Sequence, residues 1–255
     1  MSILLIDIGN STVDFRIFDD KKKNIIKVFR PSTNDKSYKS SSKLKKKLEE
    51  LNQNISSIVY CSVVPEWNDI IRALGSSLKI KVYNFRENLV IQKEDFDLNG
   101  VENIGADFLA NFIAVKNQYN LKNGLVISMG TASTIFLVQN YKFVGVSISP
   151  GLETSLKGLF NNASLLKDFL FHKTNAKIGQ STNDAINLGS CNGHFFMIMG
   201  LIDHFKKHFI IKSVIFTGGI ANIFKEDIKN LDYVFDEQLI FKGILEIYKN
   251  IKREN

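Results

Sequence analysis

Three glycine turns and two carboxylates carry the chemistry that this sequence offers. Gly9 lies between two apolar, β-branched runs, in Asp7-Ile8-Gly9-Asn10-Ser11-Thr12-Val13-Asp14. A glycine there lets the backbone turn tightly and meet a ligand with no Cβ in the way. The Asn, Ser and Thr beside it add short polar groups, and turn amides can form a concavity for an anion. Asp7 ends the first run, where a carboxylate can hold Mg2+ through water while phosphates supply other ligands. Gly130-Thr131 makes a second turn of this kind. Thr217-Gly218-Gly219 makes a third, between an apolar run and a helical pattern. A helix N-terminus entered through glycine suits a nucleotide's ribose or phosphates. Asp107, in Ile104-Gly105-Ala106-Asp107, opens another helical pattern. A carboxylate in a first helical turn is commonly a cap. Beside a bound γ-phosphate it can also accept the proton of a substrate hydroxyl.

The turns recur because the chain repeats. With Gly9 set on Gly130, residues 5–12 lie on residues 126–133. Periodicity predicts strands over 3–8, 13–18 and 25–29, a helix over 43–51 and a strand over 57–63. A helix opened by Pro65 runs to 74, a strand covers 80–85, residues 86–103 are polar and irregular, and a helix covers 105–119. Strands then return over 125–127, 134–138 and 143–148, followed by a helix from Pro150 to 160. A long helix over 182–209, a strand over 210–216, a short helix over 220–227, a strand over 233–235 and a terminal helix over 239–251 complete the chain. Two such halves imply an α/β fold of two similar domains with mixed sheets facing an interdomain cleft, 1–120 and 121–255. The polar, turn-rich stretch 118–123 marks the boundary.

Composition narrows the function classes. The chain has 255 residues, 44% of them hydrophobic and 23% charged, which is globular. The net charge is +7, yet of 33 basic residues only Arg16, Arg30, Arg72, Arg86 and Arg253 are arginine. Nucleic-acid sites lean on arginine forks and interleaved aromatics, so no nucleic-acid partner is expected. Cys61 and Cys191 are far apart with no zinc spacing, which fits a reducing compartment. Asp7 interrupts the apolar N-terminus at once, and polar residues run through the uncharged stretch 123–141. Neither reads as a signal or a membrane span, and a cytoplasmic protein with no membrane partner is expected. His204 and His208 stand four apart on the long helix, but a solvated basic face explains them better than a metal does. Trp67 and Cys191 read as packing residues, and Phe195, Phe196, Phe205 and Phe209 as core or a dimer surface.

The ordered set of motifs resembles the type III pantothenate kinases of bacteria, over nearly the whole chain. Asp7 to Ser11, Ser62-Val63-Val64-Pro65, Gly105-Ala106-Asp107, Gly130-Thr131-Ala132, Pro150-Gly151-Leu152, Ile178-Gly179 with Thr182, Thr217-Gly218-Gly219 and the terminal Leu239, Gly243, Ile244 carry the likeness. The resemblance implies duplicated ribonuclease-H-like (actin-like ATPase) domains. It also implies ATP-dependent phosphorylation of pantothenate to 4′-phosphopantothenate, the first step of coenzyme A biosynthesis. Asp7, Ile8, Gly9, Asn10, Ser11, Thr12, Val13 and Asp14 would then contact ATP, with Asp7 toward Mg2+. Gly130, Thr131, Gly218 and Gly219 would meet the nucleotide from the second domain. Gly105, Ala106, Asp107, Phe108 and Thr182 would line the pantothenate site, with Asp107 as proton acceptor. The family acts as homodimers with the substrate site near the interface, and typically needs a monovalent cation, K+ or NH4+.

The sequence departs from that pattern at named places. Phe108 stands where the family usually has Arg, and Ser128 where it has the Asp that binds the monovalent cation. Leu98 and Gly100-Val101 replace a usual Tyr and Asn-Pro, and only Gly145 remains of two glycines before Pro150. A kinase of the same fold for another small alcohol, or a nucleotide-binding regulator without substrate handling, also fits these residues.

Overall fold

The computed structural model describes residues 2–89, 92–97, 103–166 and 170–254. Leu98, Gly100 and Val101 lie outside them. The chain forms two compact units: Met1–Lys93 with Asn99–Asn120 and Gln238–Asn255, and Glu94–Leu98 with Leu121–Glu237. Each holds a five-stranded mixed sheet flanked by helices, the duplicated ribonuclease-H-like arrangement.

In the first unit the strands are β1 (Ser2–Ile8), β2 (Val13–Asp19), β3 (Asn24–Phe29), β4 (Ile55–Ser62) and β5 (Lys81–Asn84). Their order across the sheet is β3-β2-β1-β4-β5. β1 runs antiparallel to β2 and parallel to β4. It reads as a near-continuous apolar run because both its faces are covered. Leu4, Ile6 and Ile8 face α1 (Ser41–Glu49) and α2 (Glu66–Leu78), in a core with Leu44, Leu48, Ile71 and the fully buried Trp67. Trp67 also donates its indole N–H to the Thr33 carbonyl, so it is a packing residue. The opposite face of β1, with Leu5 and Asp7, lies on the side of α4 (Ala106–Tyr119) and the terminal α9 (Leu239–Glu254).

α4 ends where Asn120 takes a left-handed conformation, φ 47°, and this stop places the break between units. The terminal helix differs from the expected partition. It closes the first unit rather than the second, packing along α4, with Gly243 against the α4 backbone. A Cβ at Gly243 would sit 1.9 Å from the Ala110 carbonyl oxygen, so only glycine permits this approach. Residues 94–98, expected in the first domain, belong to the second unit. There Asp97 donates its N–H to the Phe143 carbonyl and Phe96 meets the Phe143 ring.

The second unit holds β6 (Gly124–Met129), β7 (Ala132–Gln139), β8 (Lys142–Pro150), β9 (Ser213–Thr217) and β10 (Val234–Phe235), ordered β10-β9-β6-β7-β8. β6 again pairs antiparallel with the next strand and parallel with the one after the crossover. Its helices are α5 (Leu152–Asn162), α6 (Thr182–Ile186), α7 (Gly193–His208) and α8 (Lys225–Asn230), while α3 (Phe85–Asn88) is a single turn in the first unit. The repeat is therefore structural, but its alignment needs one gap. Asp7 pairs with Asp14, whereas Ser128 pairs with Thr134, so the second hairpin is one residue shorter.

The long helix expected over 182–209 is interrupted. Asn187–Asn192 form a π-helical segment between α6 and α7. The amides explain the interruption: Asn187 accepts the His172 N–H, and Asn192 both accepts from Thr174 N–H and donates to its carbonyl. The stretch has the length and hydropathy of a membrane span, yet it is the core helix of this unit, with Ile198 and Ile202 fully buried. Cys191 is buried within it and is packing, as Cys61 is in the first unit. Phe195 is core, stacked on Phe224 at 4.7 Å, while Phe196 is exposed.

Candidate functional site

The first glycine turn is held from behind. The Gly9 N–H donates to the Thr12 carbonyl at 3.0 Å, closing the turn. The Thr33 hydroxyl donates to the Gly9 carbonyl at 2.6 Å, its N–H donates to the Ser11 carbonyl, and Arg30 Nε donates to the Thr12 hydroxyl at 3.0 Å. Asn10 and Ser11 are left exposed at the tip. Thr33 and Arg30 were not singled out in the sequence. They lie beyond the neighbouring strand, so no short motif links them to Gly9.

Asp7, Asp107 and Cys61 are linked electrostatically in this unit: the charge of Asp107 acts on Asp7, and both act on Cys61. Asp7 sits at the end of β1, opposite Asp14 on β2 and Cys61 on β4. Its carboxyl is pushed up to about 7, first by burial and then by the charges of Asp107 and Asp14, with Arg30 and Arg16 pulling the other way. The unpaired Cys61 thiol is pushed up by burial and by the charges of Asp7 and Asp107, so it stays protonated and takes no nucleophilic role.

Asp107 comes in on the first turn of α4. Burial raises its carboxyl, while the backbone N–H groups of Phe108 and of Asp107 itself bond to it and lower it. The helix N–H groups of that first turn thus hold the carboxyl as they would hold a cap. Arg86 anchors the approach to α4 by donating to the Ile104 carbonyl at 2.8 Å. Gly105 has an ordinary φ of −57°, so its reason is space. A Cβ there would stand 2.5 Å from Asp107 Oδ1 and 3.4 Å from the Phe108 ring. Gly105→Ala is therefore expected to push the carboxyl aside. Turnover should fall at least about tenfold, with thermal stability nearly unchanged because a flexible side-chain end absorbs the clash. Paired kinetics and melting curves check this.

The raised Asp7 has a second consequence. Between about pH 4, where an unfolded Asp titrates, and about 7, the folded protein keeps a proton that the unfolded chain has lost. This group's contribution to stability then falls as pH rises through that window. The urea midpoint of the free protein is expected to decline across it, and less steeply in Asp7→Asn.

The second unit gathers its glycine turns around Met129 and Gly130. The Gly130 N–H donates to the Ala132 carbonyl at 3.0 Å, and Thr131 is exposed. The Thr131 carbonyl is bound by the Gly151 N–H at 3.0 Å and the Thr154 hydroxyl at 2.7 Å. A Cβ on Gly151 would lie 2.0 Å from the Gly130 carbonyl oxygen. Gly218, with φ 95°, packs its backbone on Met129. These contacts make one cluster from Gly130, Thr131, Gly151 and Gly218, with Gly219 next in chain at the start of a 3₁₀ turn. Sequence reading used Gly151 only as a helix start and missed this clamp. Pro150 closes β8, and α5 begins at Leu152.

Ser128 lies in register with Thr134 on β7 and Thr217 on β9, a row of three hydroxyls where the first unit has Asp7, Asp14 and Cys61. Thr182 is exposed at the first position of α6, whose cap is Ser181 accepting from the Asp184 N–H. His194, also missed in the sequence, shares a 2.7 Å hydrogen bond with the Ser133 hydroxyl. Burial lowers its basicity, so the pair is a neutral tie between α7 and β7. The rings of His204 and His208 are 4.7 Å apart, and no group of three or more metal-ligating side chains exists among the described residues. A cavity of about 670 Å³ in the first unit is lined by Ile3, Phe18, Lys23, Lys242 and Tyr248. Ile3 is four residues, roughly 13 Å, along β1 from Asp7, so this cavity is apart from the carboxylates.

The family profile of type III pantothenate kinase matches residues 3–204. The chain belongs to the type III pantothenate kinase family. A type III pantothenate kinase of Mycoplasma mobile is 32% identical over 214 residues, covering 82% of this chain and 85% of that one. Type III pantothenate kinase 1 of Francisella tularensis is 31% identical and covers 95% of each. A solved structure from Campylobacter jejuni, described as a Baf family transcriptional activator, superposes with a TM-score of 0.59 at 23% identity over 98% of this chain and 99% of that one. That likeness shows the fold. The chain is accordingly an enzyme, a phosphotransferase using ATP and Mg2+ on a pantothenate-like small molecule.

Proposed function

We infer that this kinase passes the γ-phosphoryl group of ATP to the primary hydroxyl of pantothenate, with Asp107 taking the hydroxyl proton. The observation that supports the reading is that Asp107, on the first turn of α4, is near enough to Asp7, at the end of β1, for its charge to act on it. Asp107 carries a raised pKa, which brings a carboxylate base nearer the operating pH. Its oxygen receives the proton as the hydroxyl oxygen attacks, and helix N–H groups hold it in position.

Asp7 fits a hydrated Mg2+. It is a carboxylate crowded by two others, and a cation that keeps most of its waters needs only one or two such groups. Mg2+, when bound with ATP, would offset charge on the phosphates. Asn10 and Ser11 at one turn, and Thr131 with Gly218 and Gly219 at the others, offer backbone and hydroxyl donors to the nucleotide. Gly105, Ala106, Phe108 and Thr182 are assigned to pantothenate. Phe108 gives this pocket an apolar wall where an arginine would give a cation. Comparing kcat/KM for pantothenate and a panel of small alcohols tests that assignment. Pantothenate should be the preferred acceptor, and a faster alcohol would reassign the substrate.

Ser128, Thr134 and Thr217 offer neutral oxygens where the family's carboxylate would bind K+. Rates in K+, NH4+ and Na+ at equal ionic strength are expected to agree within about twofold, since neutral hydroxyls give little charge attraction. Strong activation by K+ would show another ligand at work. We also propose a homodimer, supported by exposed Val146 and Ile148 on β8 and Phe196 on α7. Light scattering should return twice the 28.9 kDa chain mass. A cytoplasmic location is proposed from the two unpaired, buried cysteines.

A further inference from the structure

Asp14 has an oxygen with nothing to bind. The residue is 4% exposed. Two Arg16 hydrogen bonds go to its Oδ2, from Nη2 at 3.0 Å and Nε at 3.3 Å. The Arg16 guanidinium is itself seated 4.4 Å over the Phe241 ring of α9, which fixes the carboxyl that it grips. Asp14 Oδ1 is buried with no hydrogen-bond partner. A buried, unsatisfied carboxylate oxygen costs free energy and calls for an explanation.

Its position supplies one. Asp14 is directly opposite Asp7 in the β1–β2 register, and directly opposed side chains share a sheet face a few ångströms apart. At the same place in the second unit, Thr134 opposes Ser128, and neither carries charge. The extra carboxylate therefore belongs to the repeat that holds Asp7. The charge of Asp14 acts on Asp7 across that register, with Arg16 and Arg30 acting the other way. A hydrated cation needs only one or two carboxylates and presents outward-pointing water hydrogens, the donors that an orphan oxygen lacks.

We propose that Asp14 is a positioning residue of the metal site, its Oδ1 accepting a hydrogen bond from water on the cation that Asp7 faces. This rests on the reading of Asp7 given above. Outer partners of this kind commonly change metal affinity by 10- to 100-fold when removed. Asn at position 14 can keep its carbonyl on Arg16, but then turns an N–H2 donor toward the water, which cannot serve it.

The test measures Mn2+ binding by electron paramagnetic resonance, with the full chain saturated by a non-hydrolysable ATP analogue. Affinity of the analogue without metal is measured alongside. Asp14→Asn is expected to weaken Mn2+ about tenfold and metal-free nucleotide binding by clearly less. Unchanged Mn2+ affinity in the folded variant overturns the proposal, and so does an equal loss of nucleotide binding without metal. Should Asp14→Asn fail to fold, the paired Asp14→Leu, Arg16→Met variant removes the ion pair as a whole. The same loss of Mn2+ affinity is expected there, and wild-type affinity overturns the proposal. Asp7→Asn separates the two readings. If it too leaves Mn2+ binding intact, the placement of the metal at Asp7 fails, and with it this inference. If it weakens Mn2+ while Asp14→Asn does not, only the role of Asp14 falls.

Discussion

Asp107→Asn is expected to lower kcat by about 10²- to 10⁴-fold, the range that a lost general base commands, while ATP still binds. Asn matches Asp in shape, and its carbonyl can go on accepting the helix N–H groups that hold the Asp107 carboxyl. The geometry of α4 therefore survives, and only the capacity to take a proton is lost. The charge of Asp107 is also one of the causes that raise Asp7. Removing it lowers Asp7 toward its ordinary range, so at neutral pH more of Asp7 is ionised and metal–nucleotide binding holds or tightens. A fall in kcat with unchanged or lower KM for ATP is the expected signature. Turnover close to that of the unaltered chain would remove Asp107 from the chemistry and leave it a helix cap.

Gly218→Ala is expected to cost heavily in stability. Its φ of 95° is one that L side chains rarely adopt, and its Cβ would stand 2.4 Å from the Met129 carbonyl oxygen and 2.7 Å from the Met129 nitrogen. Neither neighbour is a side chain that can swing away. Backbone strain and overpacking together come to about 2–5 kcal/mol, a loss of roughly 5–20 °C in Tm for a chain of this size. Because Met129 leads directly into Gly130, the displacement also reaches the second glycine turn, and KM for ATP should rise. Gly145→Ala is the control: a Cβ there meets nothing within 4 Å, and Tm should hardly move. Equal melting of the two variants would contradict the packing described for Gly218.

Much of this was legible in the sequence for a physical reason. Strands buried on both faces, such as Ser2–Ile8 and Gly124–Met129, leave continuous apolar runs, and glycine turns punctuate them. The duplication could be seen because both features recur in order. The candidate carboxylates Asp7 and Asp107 stood out because a charge ending an apolar strand or opening a helix interrupts a pattern. What escaped was what depends on partners distant in sequence. Thr33 and Arg30 behind Gly9, Gly151 against Gly130, and the Ser133–His194 bond carry no local signature. The return of α9 to the first unit escaped because an amphipathic helix reads the same whichever sheet it covers. The one-residue gap between the hairpins escaped because polar residues fill both turns. The π segment escaped because its periodicity is lost among glycines and asparagines.

The most direct test of the whole account is the reaction itself. The chain is incubated with pantothenate, Mg-ATP and saturating K+, and the product is identified by mass spectrometry. The account predicts 4′-phosphopantothenate, formed by the unaltered chain and not by Asp107→Asn. A folded, ATP-binding chain that makes none would contradict it and place the divergence at Phe108, beside the carboxylate that was to take the proton.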